Sequence, residues 1–148
     1  MQTSLGITDV ARGIQLAVAP VFLLSGVGVT LTVLTNRLAR IIDRARSLEA
    51  IVPTAVDAAA ATLHAELRAL SRRARLVNRA ITLSTTCALL ICLVIVTLFT
   101  GVALGRDFAL PIVVLFIAAL SAFIGGLVAF LLEIRAATAS LRFGPGPH

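Results

Sequence analysis

Few side chains in this sequence could do chemistry. Among its seven acids, Glu133 alone closes an uncharged run, the stretch from Phe108 to Leu132. A carboxylate at the end of an apolar run could select cations or pass a proton. The plainer expectation is a surface ion pair of small value, with Arg37, Arg79 and Arg135 at similar depth. Cys87 and Cys92 are five residues apart, about 140° around a helix, so they cannot bridge each other. They read as small buried hydrophobes. His64 is solitary and His148 is terminal. There is no metal-ligand spacing, no Ser/His/Asp set, no glycine-rich phosphate loop and no pair of carboxylates within an apolar run. Neither an enzyme nor a bound cofactor or metal is expected.

A second group is polar without being charged. Gln15, Ser25, Thr32 and Asn36, together with Phe22, follow three- and four-residue steps or sums of them. They therefore share one helix face. Pro20 removes a backbone donor from that helix and should kink it. Such a stripe can line a pore, or it can bond to neighbouring helices, which is the commoner use. Ala118, Ala122 and Gly126, with Ser121 and Gly125 beside them, form a face of small residues that would allow close helix approach.

The elements that must position these residues follow from composition. The chain has 148 residues, 59% of them hydrophobic and 14% charged, with a mean hydropathy of +1.04. A soluble domain is about one quarter charged. Three runs carry no charge, at about 13–36, 80–105 and 108–132. Roughly 20 apolar residues cross a bilayer as a helix, so each run is long enough. The expected class is an all-α integral membrane protein, one membrane domain of three transmembrane helices.

All the basic residues are arginines. Nine lie between the first two runs, at 37, 40, 44, 46, 68, 72, 73, 75 and 79, and Arg135 and Arg142 follow the third. The other side has Arg12 and Arg106. Eleven against two predicts, by the positive-inside rule, a cytoplasmic first loop and C-terminus and an external N-terminus. The first run reads as an uncleaved anchor, because the basic cluster follows it. Arginines that flank apolar runs point to membrane lipids as partners and away from nucleic acid.

The loop at 37–79 carries its own pattern. Leu34, Leu38, Ile41, Ala45, Leu48 and Val52 step by four and three, as do Val56, Ala60, Leu63, Leu67, Leu70, Ala74, Val77 and Ile81. This is a coiled-coil seam. Pro53 should turn the chain, and Thr54 with Asp57 resembles a capping box. Two long helices are expected, near Thr8 to near Ala50 and Thr54 to near Thr100, forming a cytoplasmic antiparallel hairpin that extends spans one and two. The segment Arg37–Ala45 is echoed at Arg72–Ala80, with Arg40 matching Arg75, Arg44 matching Arg79 and Asp43 matching Asn78. Headgroup anchoring accounts for these arginines most simply. The sharper expectation pairs Asp43 with Arg75 or Arg79 across the hairpin. The tail from Phe143 to His148 is expected to be disordered.

The stretches Ile7–Pro20, Thr35–Arg46 and Arg73–Ser84, with Phe123–Leu127 and Leu132–Arg135 in the third span, resemble a bacterial membrane family known as domain of unknown function 2721. That resemblance implies a bacterial three-span protein of the inner membrane and carries over no activity. Three functions compete on the residues. A homo-oligomer could surround a small ion-conducting pore with the polar stripe inward. A scaffold or regulatory subunit could dock an unknown protein through the hairpin. The arginine belt could organise anionic lipid, at about 1 kcal/mol per basic group. The homo-oligomer is the leading expectation.

Overall fold

The three uncharged runs sit inside three helices, each longer than its run. In the computed structural model, which describes residues 7–52 and 57–139 apart from the side chains of 7–9, 57–59 and 139, α1 spans Ile7–Ile51, α2 spans Asp57–Leu104 and α3 spans Ala109–Ala139. Among the described residues there is no strand. At roughly 1.5 Å per residue, α1 and α2 each have a contour of about 70 Å, more than twice the hydrocarbon core of a bilayer. The expected extension beyond the spans is therefore present. All three helices are long and apolar enough to cross a membrane, and at most 22% of the most apolar stretch of any one is buried. Their large side chains face outward, as with Phe22 at 74% and Leu110 at 78% exposed. That surface needs an apolar solvent. The expected turn at Pro53, the Thr54 cap, Val56 and the tail at 143–148 lie outside the described residues.

Local chemistry explains the connection between α2 and α3. Gly105 has φ +59°, a left-handed conformation that costs a side-chain-bearing residue roughly 1–2 kcal/mol. Its N–H donates to the Val102 carbonyl at 3.4 Å, while the Arg106 N–H reaches back to Gly101 at 3.1 Å. These two bonds satisfy carbonyls that the end of a helix leaves open, in a Schellman motif. At Gly101 a Cβ would stand 3.1 Å from both the Arg106 carbonyl oxygen and a Phe108 ring carbon, so those neighbours would have to give by a few tenths of an ångström. Asp107 then starts α3: its carboxylate accepts from the Ala109 N–H at 2.8 Å. Pro111 lies in the first turn, where a missing donor is harmless. Pro20 is buried within α1, which remains helical through it.

Packing divides the chain into two compact units. The first contains Met1–Leu31 and Leu83–Ile124. Its core is Val27 of α1, Cys87 and Ile91 of α2 and Ala119 of α3, all fully buried. Gly13 admits Phe99 and Val102, whose atoms come within 3.4–3.6 Å of where its Cβ would be.

The second unit contains Thr32–Thr82 and Gly125–His148. Here Leu34, Ile41 and Leu48 of α1 pack with Leu70, Val77 and Ala80 of α2 and Ala129 of α3. Leu38, Ala45, Leu63, Leu67, Ala74 and Ile81 fill in around them. These are seam residues from the heptad pattern. Of the expected small residues of α3, Gly126 is buried and Ala122 packs half-buried against the core of the first unit. Ala119 in the first unit and Gly126 and Ala129 in the second are buried, whereas Ala118 and Ser121 are exposed.

Candidate functional site

The most unusual side chain is Glu133, which has no solvent exposure. It sits on α3 in the second unit, one helical turn beyond the buried Ala129. The same periodicity that turns Ala129 to the core turns Glu133 there too. Two arginines meet it. Arg73 of α2 donates from Nε at 3.1 Å and from Nη2 at 3.0 Å, both to Oε1. Arg37 of α1 brings Nη2 to 3.0 Å from Oε2. That second contact is an ion pair without hydrogen-bond alignment, so Oε2 has a counter-charge but no aimed donor. The Arg37 guanidinium also lies over the Phe130 ring, 5.4 Å from its centroid, within cation–π range. All three helices of this unit thus contribute to one charge cluster.

The geometry decides what Glu133 can do. A buried carboxylate is tolerable only when paired and hydrogen-bonded. Here two guanidiniums enclose it, with side chains 27% and 25% exposed. The sequence expectation of a surface pair is corrected on this point. Arg79 and Arg135, expected at the same depth, are both exposed and take no part. Arg73 was not singled out from the sequence. Its signal lay in helical phase: it stands three residues beyond Leu70 and four before Val77, beside the seam.

Across the hairpin the ion pair is also a different one. Arg44 Nη2 lies 2.9 Å from Glu66 Oε1, with Nε at 3.2 Å. Asp43 does not pair with Arg75 or Arg79, and all three are exposed, as is Asn78. The reason is rotational. Asp43 is two residues past Ile41, about 200° around the helix from the seam, whereas Arg44 is at its edge. The Asp43 carbonyl instead accepts the Ser47 hydroxyl at 2.9 Å. Because Arg37 and Arg73 share Glu133 while Arg44 meets Glu66, sequence number rises along α1 as it falls along α2. The two helices of this unit run antiparallel.

Arg40 lies between these pairs. With Arg37, Arg44 and Arg73 it lines a groove of about 190 Å³ floored by Ile41 and Leu70.

The polar stripe of α1 faces away from the packed helices. Gln15 and Ser25 are exposed in the first unit, Thr32 and Asn36 in the second. Ser25 is two residues, about 200°, from the fully buried Val27. Thr32 is likewise two residues from the buried Leu34. The hydroxyls of Ser25 and Thr30 bond to carbonyls one turn back in their own helix. In the first unit the hydroxyl of Ser84 is buried without any partner. Among the described residues no cluster of His, Cys, Asp and Glu could hold a metal ion.

A family model described as "Protein of unknown function (DUF2721)" matches residues 17–143. No curated protein and no solved structure matches.

Proposed function

The chain belongs to the DUF2721 family of proteins of unknown function, and we propose that it is an integral membrane protein that acts as a homo-oligomer, its copies meeting along the polar face of α1. What carries this reading is the exposure of Gln15, Ser25, Thr32 and Asn36 on the side of α1 opposite its packed face. Lipid is a poor neighbour for amides and hydroxyls, which turn toward protein or water. Three helices do not enclose a water-filled path. Several copies arranged with α1 inward would line one with this stripe, forming a small ion-conducting pore. The membrane is the bacterial inner membrane. Eleven arginines on one side against two on the other support a cytoplasmic hairpin, a cytoplasmic C-terminus and an external N-terminus.

The test is particle mass in native lipid, followed by ion flux from vesicles holding correctly inserted protein. A defined multimer that passes ions is the expected result. A monomer would overturn the proposal. A multimer that stays silent at varied voltage and pH would remove the pore and leave the assembly.

A further inference from the structure

Arg37, Arg40, Arg44 and Arg73 surround one groove, and their charges are only half answered. Glu133 compensates Arg37 and Arg73, and Glu66 compensates Arg44. Arg40 is exposed, and among the described residues no acid pairs with it. Four positive charges against two negative leave the groove with a net charge of +2. Like charges this close repel, and an anion seated between them relieves that repulsion.

We propose that this groove is a binding site for a phosphate group. Guanidinium forks match phosphate oxygens two at a time. Here the forks are already held: Glu133 fixes Arg73 through two nitrogens, Phe130 and Glu133 fix Arg37, and Glu66 fixes Arg44 through two nitrogens. Less side-chain freedom is then lost on binding. Arg40 supplies the fork with no competing carboxylate. The floor of Ile41 and Leu70 is apolar, which suits the carbon skeleton joined to a phosphate ester. The ligand chemistry is an anionic phosphate, from the headgroup of an acidic phospholipid or from free phosphate in the aqueous phase. All four arginines come from one chain, so the site needs no second copy and stands apart from the oligomer proposal.

The experiment uses the full chain in neutral detergent and in bilayer discs. One arm follows retention of phosphatidylglycerol against phosphatidylcholine by native mass spectrometry. The other follows thermal stabilisation by inorganic phosphate against chloride at equal ionic strength. Two variants are compared, Arg40→Gln in the groove and Arg46→Gln on the same helix outside it. Losing one charge-assisted fork should weaken binding about tenfold or more in Arg40→Gln. Arg46→Gln should change it less than about twofold, since an exposed charge outside the site adds only surface attraction. Retention of the acidic lipid assigns the site to a headgroup, and a response to phosphate alone assigns it to a soluble ligand. Either result supports the site. Equal weakening by both variants would show a diffuse surface effect and overturn it. So would indifference of the unmodified protein to both probes.

Discussion

Glu133 is worth most where it can least be spared. Glu133→Gln keeps the shape and removes the charge, leaving two guanidiniums around a neutral amide. Breaking a buried pair by removing one partner costs about 3–5 kcal/mol. Unfolding in mild detergent should therefore show a loss of about 3 kcal/mol, and a loss below about 1 kcal/mol would contradict the enclosed geometry. Ser84 should behave in the opposite way. Its hydroxyl is buried without a partner, and burying such a group costs about 1–3 kcal/mol. Ser84→Ala should raise stability in the same assay, and a clear loss would mean that the hydroxyl has a partner in the membrane. The sequence marked Glu133 as the acid that closes a span and placed Arg37 at its depth. It did not reveal Arg73, because span ends set depth alone, and at that depth they pointed to Arg79 and Arg135, both exposed. Pairing depends on rotation about the helix, and the repeat conserves residue types without saying which side of the seam each occupies.

At the level of elements the sequence was far more legible. Three- and four-residue steps located the packed seam of the second unit, because burial on one helix face leaves a periodic trace. Uncharged length located the spans, each run lying inside one helix to within a residue. The turn ending α2 was not read: Gly105 appeared only as the close of an uncharged run, and glycine alone does not declare a positive φ. Gly105→Ala should cost about 1 kcal/mol through the left-handed backbone it must adopt, measured as a lower unfolding midpoint in detergent. An unchanged midpoint would mean that the turn relaxes. The pair between Arg44 and Glu66 should matter less, since its side chains are 58% and 43% exposed. Glu66→Gln should lose under about 1 kcal/mol in the same measurement.

For the whole molecule, the question is what meets the outward face of α1. Replacing Gln15 and Asn36 together by Leu removes the two amides from the stripe. If copies join there, particle mass in native lipid should fall toward that of one chain. If the face only borders lipid, the mass should stay unchanged while stability rises, because amides leave hydrocarbon. The sequence could show that the stripe exists and shares one side of a helix. It could not show which way that side turns, since residues that glue helices together and residues that line water are the same types.

The carboxylate that gathers the three helices of the second unit is the last of its cluster to be made. Arg73 precedes Glu133 by sixty residues, and Arg37 is earlier still. At about 5–20 residues per second, the ribosome leaves Arg73 without this counter-ion for at least about 3 s. Through that interval the nascent hairpin carries two guanidiniums without the carboxylate that later joins them. The arrival of α3 then brings one buried carboxylate to two arginines that were made before it.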